Sequence, residues 1–450
     1  MPTNILQQVV EYQPSELAYL QNLNCFLSTA NKKFENFQNL TANLGSTVNM
    51  ELPYRFTTSN GLVAVDQPIT QRYHPLTVDQ SANTSMVVTN PEQIFNLDKD
   101  AYMDKIGKSA IRALGAQIES NIALNTTSDI PVMIPDPANP NYYIPSGAYH
   151  AESGPYRFFG DGVTALTSYQ QLAQMVANWR EVGSTNMGDI KIYMPNTIIP
   201  AIIGTSHGQF TPERNNETAM SWEIGRYGTP NTIYYQSNLL PIHIAGDVGN
   251  GSTTAIKQLT VVSTNDATGA NVTQITCTCD ASLSGNVNAI KHGDLCQFID
   301  VSGKPNMRTM TFTGNKVTSQ PVQMRITADA SASGTTVVIN ILAGSGVGLT
   351  SAPGANQNIN NAIQAGMKIQ VLPSHRTGLL VDGDALFVAM PRLPDQTPFP
   401  TASENDKDTG ASLRLSYGAL LGQNLQRLVH DCIWASTLPP EYCLRLVLPL

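Results

Sequence analysis

Residues 47–56, TVNMELPYRF, alternate along the chain: Val48, Met50, Leu52, Tyr54 and Phe56 fall on one face, with Asn49, Glu51 and Arg55 on the other. A period of two predicts a half-buried strand. The TTSNG of residues 57–61 is turn chemistry. A second extended stretch returns through Arg72, Tyr73 and His74 to Leu76 and Val78. No helical pattern covers this hairpin-like excursion, and an isolated two-stranded ribbon is marginal in water. The pattern therefore predicts a projecting ribbon whose apolar side is satisfied on another subunit.

The period then changes. Asn90-Pro91-Glu92-Gln93 is a helix start, and Ile111, Leu114, Ile118 and Ile122 recur at i, i+3, i+7 and i+11. If unbroken to Leu124, this helix would be about 50 Å long; Asp98-Lys99-Asp100 is a possible break. Tyr169, Leu172, Val176 and Trp179 predict a second helix over 165–182, stopped at Gly183. Leu17, Leu20, Leu23, Phe26 and Leu27 form a short stripe in an N-terminal arm, docked on its own core or gripping something else. Residues 128–162, rich in Pro, Gly, Asn and Tyr, read as a long surface loop. A strand is expected over 189–194, a short helix from Pro195 to Ile203, a buried strand over 384–389, and strands in the closing stretch from Leu425.

From about residue 250 helical periodicity gives way to the runs LTVV, TQITCTC, CQFIDV, VQMRITA and TTVVINI, separated by turn residues. Many short strands at this spacing predict a small β-barrel or sandwich over 250–376, with a short helix near 359–365. The fold class expected is α+β, a mixed body interrupted by an all-β insertion.

Composition sharpens this picture. Hydrophobic residues make up 41% of the 450 and charged residues 13%, against about 25% charged in ordinary domains. A surface so poor in charge favours association. The net charge of −8, without a basic run, argues against sequence-specific nucleic-acid binding but not against a wall around DNA. The opening MPTNILQQVVEYQ does not read as a secretory signal, no run is long enough to cross a bilayer, and six Cys do not make a disulfide framework.

Candidate chemistry is thin. Cys277 and Cys279, with His292 and Cys296 near, share a strand face, but structural zinc usually takes two to four residues between paired Cys; buried, inert thiols are the simpler reading. His430-Asp431-Cys432 cannot all face one pocket from a strand. Gly344-Ser345-Gly346-Val347-Gly348 lacks the Lys-Ser/Thr of a phosphate loop. No catalytic residue, metal ligand or cofactor site is identified, and the chain does not read as an enzyme.

Several segments, in order, carry a resemblance: NLGSTVNMELPYR at 43–55, RYHPLTVD at 72–79, NPEQIFNLDKD at 90–100, ALGAQIESNIA at 113–123, HGDLCQFIDV at 292–301 and DGDALFVAMPRLP at 382–394. Together they resemble the major capsid (coat) proteins of short-tailed double-stranded-DNA bacteriophages, whose tailed-phage capsid fold carries an inserted β-barrel. The resemblance implies an N-terminal arm (1–42), an E-loop (43–89), a P-domain with a spine helix (90–160), an A-domain with part of the P-domain (161–249), an insertion domain (250–376) and a return to the body (377–450). It implies pentamers and hexamers of this chain closing an icosahedral shell, built as a procapsid in the bacterial host cytoplasm and ending as a virion capsid. Scaffolding protein, portal protein, non-specifically enclosed double-stranded DNA and a decoration protein are the implied partners; no membrane and no cofactor are. Candidate intersubunit contacts are Val48, Met50, Leu52, Tyr54, Phe56, Arg72 and Tyr73 on the ribbon. Asp266 is a further candidate, in a loop (263–272) that the resemblance places across a two-fold. The alternatives are an encapsulin-like nanocompartment shell, with the same fold and an enzyme cargo, and a β-rich surface adhesin.

Overall fold

The computed structural model describes residues 25–31, 45–56, 66, 71–89, 99–139, 143–183, 189–198, 232–312, 314–343, 348–394, 401–405, 411–420 and 425–450. Among them strands predominate, with three α-helices: α1 (Cys25–Thr29), α2 (Lys99–Ala123) and α3 (Tyr169–Glu181). The described part is thus mostly β with few helices, since few of its segments carry a 3.6-residue apolar period. The expected helix start at Asn90 lies outside the described residues. Lys99 and Asp100 open α2 and do not break it. Its 25 residues span about 37 Å.

A central sheet orders the body. Its strands run Phe158–Phe159, Cys443–Leu448, His375–Asp382, Ile190–Met194 and Thr232–Gln236, with Ile242–His243 also paired to His375–Asp382. Strand alternation sends neighbouring residues to opposite faces. Tyr193, Leu379, Val381 and Cys443 pack with Ile111, Leu114, Ile118 and Ile122 of α2. Ile192, Leu380, Leu444 and Leu446 pack with Leu172, Val176 and Trp179 of α3. The sheet is therefore sandwiched between the two helices whose stripes the sequence displays. A capping box starts α3: Ser168 Oγ accepts from Gln171 N, and the Gln171 side chain accepts from Ser168 N. Gly183, at φ +81°, ends it.

A second, antiparallel sheet holds Gln80–Thr89, Leu425–Thr437, Ser412–Leu420 and Thr401–Asn405 in that order, with Phe387–Ala389 paired to the end of Leu425–Thr437. Only 387–389 of the strand expected over 384–389 forms; Ala385 and Leu386 are buried beside it.

Six antiparallel strands close a barrel: Gln258–Thr264, Gln274–Thr278, Thr336–Leu342, Gln323–Ile326, Leu295–Ile299 and Lys368–Val371. Each of the five β-rich runs supplies one of them. Ile275, Phe298, Met324, Ile339 and Ile369 meet in its core. No helix forms at 359–365: Ile359 bridges Thr309, while Asn358 Oδ1 accepts from Thr350 N and Asn360 Oδ1 from Arg308 N. Asn side chains that bind backbone compete with helix formation.

Residues 128–162 are not a surface loop. They contain a hairpin, Pro131–Pro135 against Tyr143–Tyr149, and a buried run over 153–158. A two-stranded ribbon tolerates the prolines that made the stretch look irregular. After Pro195 a turn covers 196–198 and the rest of the expected helix lies outside the described residues.

Barrel and body are joined by buried polar contacts. Arg325, on a barrel strand, donates to Ser153 O (2.8 Å), Ser128 Oγ and Ala151 O of the body. Reciprocally, Arg445 of the body donates to Thr126 O (2.8 Å) and to Gly293 O (3.1 Å) at the barrel entrance. The Gln323 amide accepts from Phe158 N (3.0 Å) and donates to Phe158 O (2.9 Å), so a barrel side chain caps the edge of the central sheet. Gly154, at φ +91°, is required here, because a Cβ would lie 2.2 Å from Asn125 O.

Candidate functional site

The ribbon begins with Thr47–Leu52 paired antiparallel to Arg72–Thr77, in the register Val48↔Leu76, Met50↔His74 and Leu52↔Arg72. Cross-strand partners share a face. The inner face therefore carries Val48, Met50, Leu52, His74 and Leu76, and the outer face Asn49, Glu51, Tyr73 and Pro75. Met50 and Leu76 pack with Ile433 and Ala435, and Val48 packs against them; Leu52 joins the core under α2.

Here the sequence reading is corrected. Val48, Met50 and Leu52 were expected to face another subunit together with Tyr54 and Phe56, but these three face the chain's own body. The strand ends at Leu52 because Pro53 has no N–H for the ladder, and the alternation stops there. Tyr54, Phe56 and Tyr73 are exposed at 40%, 55% and 49%. The Tyr54 hydroxyl donates to Glu51 and the Tyr73 hydroxyl to Gln71, so both rings are held by the ribbon's own side chains while exposed.

Arg72 is an anchor rather than an outward contact. Glu441, 3% exposed in the turn Pro440–Tyr442, accepts from Arg72 Nη2 and pairs with Arg55 Nη2 at 2.9 Å. The Arg55 guanidinium also lies over the Phe312 ring, 4.3 Å from its centroid. One buried carboxylate thus holds both legs of the ribbon. Removing one partner of a buried ion pair strands the others, so Glu441→Ala is expected to cost about 3–5 kcal/mol in chemical denaturation. Native-like stability with an unmoved ribbon would show that Glu441 is not the anchor.

A second tie crosses to the 131–149 hairpin. Buried Asp79 accepts from His150 Nε2 (2.8 Å) and Met133 N (3.1 Å), while His150 Nδ1 meets Glu152 at 3.0 Å. Burial opposes a charge on His150, but the hydrogen bonds to Asp79 and Glu152 outweigh it and push its pKa up to about 9. Burial pulls His74, which meets Thr437 Oγ1 at 2.7 Å, down to about 4; burial, aided by the Arg445 charge, pulls His375 down to about 3.

The signs give a stability profile. From pH 6.5 down to about 4 the unfolded chain takes up protons that folded His74 and His375 refuse, so stability falls. His150 contributes fully below pH 6.5, and its share is lost as pH rises through about 9. Melting temperature is expected to peak near neutrality, and His150→Gln to flatten the alkaline limb. A flat profile from pH 4 to 9 would contradict these assignments.

The arm is docked where it is described. Glu119, at 2% exposure, accepts from Phe26 N (2.8 Å) and Leu27 N (3.1 Å), capping α1 from α2. Phe26 stacks on Tyr193 at 4.3 Å.

Asp266 lies at the outer end of the barrel loop that follows Gln258–Thr264. Its Oδ1 accepts from Thr268 N (2.8 Å) and its Oδ2 from Asn271 N (2.9 Å), so the carboxylate shapes the loop itself. The Thr268 hydroxyl, which also donates to Oδ1, together with these backbone hydrogen bonds holds its pKa low.

The remaining candidate groups are occupied structurally. Cys277, Cys279 and Cys296 are buried free thiols, and burial raises all three pKa values. The two ring nitrogens of His292 face Thr327 O (2.9 Å) and Ser128 O (2.7 Å). His430 and Cys432 are buried, while Asp431 accepts from Arg414. Among the described residues, no group of three or more His, Cys, Asp or Glu side chains is placed to hold a metal, and no helix is long and apolar enough to cross a membrane. The glycine-rich segment 344–347 lies outside the described residues.

Sequence reasoning missed Glu441, Arg325, Arg445, His150 and Glu119. A charged residue inside an apolar run, as Arg445 in CLRLVL, was the available signal.

No family model matches the sequence, and no curated protein does. Solved structures do align over nearly the whole chain. One, titled Mycobacterium phage Che8, is 8% identical at a TM-score of 0.40, covering 94% of this chain and 90% of that one. A capsid structure of the cyanophage P-SCSP1u is 10% identical at 0.35, covering 91% and 85%. The capsid of Ralstonia phage GP4 is 8% identical at 0.43, covering 96% and 91%.

Proposed function

We propose that this chain is a shell-building subunit, the major capsid protein of a tailed double-stranded-DNA phage, which acts by self-assembly and not by catalysis. The observation that carries the reading is the ribbon: its inner face is fixed to the body, and its outer side holds Tyr54, Phe56 and Tyr73 in solvent. Rigid aromatic side chains on a fixed base lose little entropy when buried by a neighbour. The charge-poor composition and the ordered segments that resemble short-tailed-phage coat proteins support it.

On this reading the ribbon is the E-loop, α2 the spine helix of the P-domain, and the barrel the core of the insertion domain over 250–376. The central sheet and α3 fall mainly in 161–249, the A-domain with part of the P-domain, and in 377–450, the return to the A- and P-domain body. Contacts repeat around five- and six-fold rings, each standard interface burying about 800 Å² per partner, and multivalency holds the shell. Scaffolding protein, a portal ring, enclosed DNA and a decoration protein are the expected companions, with assembly in the bacterial cytoplasm. Electron microscopy of particles from cells expressing the chain with its neighbouring gene products tests this. Icosahedral shells that fill with DNA are expected; shells loaded with an enzyme, or none, would overturn it.

A further inference from the structure

Two strands of the second sheet have one strand neighbour each among the described residues. Gln80–Thr89 pairs over all ten residues with Leu425–Trp434 on its inner side, and no strand among the described residues pairs with its outer side. That edge is about 34 Å long. Its sequence, QSANTSMVVT, holds no charged residue and no proline, the devices that normally protect an edge facing water. At the opposite end, Thr401–Asn405 pairs with Ser412–Ser416 and, among the described residues, with no second strand.

The strand directions make these edges complementary. Gln80–Thr89 is antiparallel to Leu425–Thr437, which is antiparallel to Ser412–Leu420, which is antiparallel to Thr401–Asn405. The two edge strands therefore run in opposite senses. A second copy offering Thr401–Asn405 to the edge of the first continues the antiparallel alternation without a break. Because the two surfaces differ, the contact is heterologous, the kind that repeats into rings.

We infer that the outer edge of Gln80–Thr89 docks a second copy of this chain by main-chain pairing with its Thr401–Asn405 strand. The inference rests on the self-assembly reading and adds a contact independent of the ribbon. Ladder bonds supply the attraction, while the uncharged edge raises no electrostatic objection.

Residue-resolved hydrogen exchange on the intact chain, free and assembled, tests it. In the free subunit, alternate amides of 80–89 face outward and exchange fast. On assembly these, and the outward amides of 401–405, are expected to slow by at least about tenfold. Ser85→Lys, on an exposed position opposite Val429, is expected to keep the melting temperature and lose assembled protein. Shells whose outward amides at 80–89 or 401–405 exchange as in the free subunit overturn this inference alone. A chain that never assembles overturns it together with the shell reading.

Discussion

Replacing Tyr54 and Tyr73 together by lysine is expected to leave a folded, soluble subunit that no longer forms shells. Both rings are exposed, and their hydroxyls bond only residues of the same ribbon, Glu51 and Gln71. Exposed substitutions of this kind usually change stability by about 0.5 kcal/mol or less. Lysine at 54 also sits favourably beside Glu51. In an assembled contact, the same change buries ammonium groups where aromatic surface is required, and each unpaired buried charge costs several kcal/mol. Repeated over every subunit, the loss abolishes assembly. Leu52→Asp is the contrasting control. Leu52 is 3% exposed in the core beneath α2, so an aspartate there is expected to cost more than about 4 kcal/mol and prevent folding. Light scattering for assembly and circular dichroism for folding separate the two. Normal assembly by the double lysine variant would remove the ribbon's outer face from the interface.

Arg325→Ala is expected to destabilise body and barrel together. Arg325 is fully buried, and burial brings its guanidinium pKa down to about 9. Its fork reaches Ser153 O, Ala151 O and Ser128 Oγ. Removing it leaves buried carbonyls unpaired, at about 1–3 kcal/mol each, and opens a cavity. A total loss of about 3–5 kcal/mol in denaturant melts follows. Arg325→Lys is expected to recover little, because one ammonium cannot replace a planar fork reaching three acceptors. A variant whose barrel loosens while the body melts unchanged would show that the junction is not cooperative.

The segments that sequence reasoning reads best are those where one face meets one core. Ile111, Leu114, Ile118 and Ile122 follow a helical period because a single sheet face buries them all. Ile275 and Cys277, or Val337, Ile339 and Ile341, follow a period of two because the barrel has one inside. The ribbon exposes the limit of that logic. Periodicity identifies an apolar face on 47–52 but not which surface covers it, and the covering residues Ile433 and Ala435 lie far along the chain. The hairpin within 128–162 was hidden by prolines that a two-stranded ribbon tolerates. The anchors were hidden differently. Glu441 has no local pattern and acquires its role only when Arg55 and Arg72 converge on it. His150 likewise depends on Asp79, from the link between two distant strands. Ion pairs between remote segments leave no periodic trace, whereas apolar faces do.

The most direct test of the account is the assembly state of the purified chain, measured by mass and imaging, alone and with the scaffolding protein that the proposed function implies. Closed particles of uniform size, with Tyr54 and Tyr73 protected from labelling inside them, are the expected result. A chain that remains monomeric under all such conditions, or particles in which both tyrosines label as in the free subunit, would contradict it.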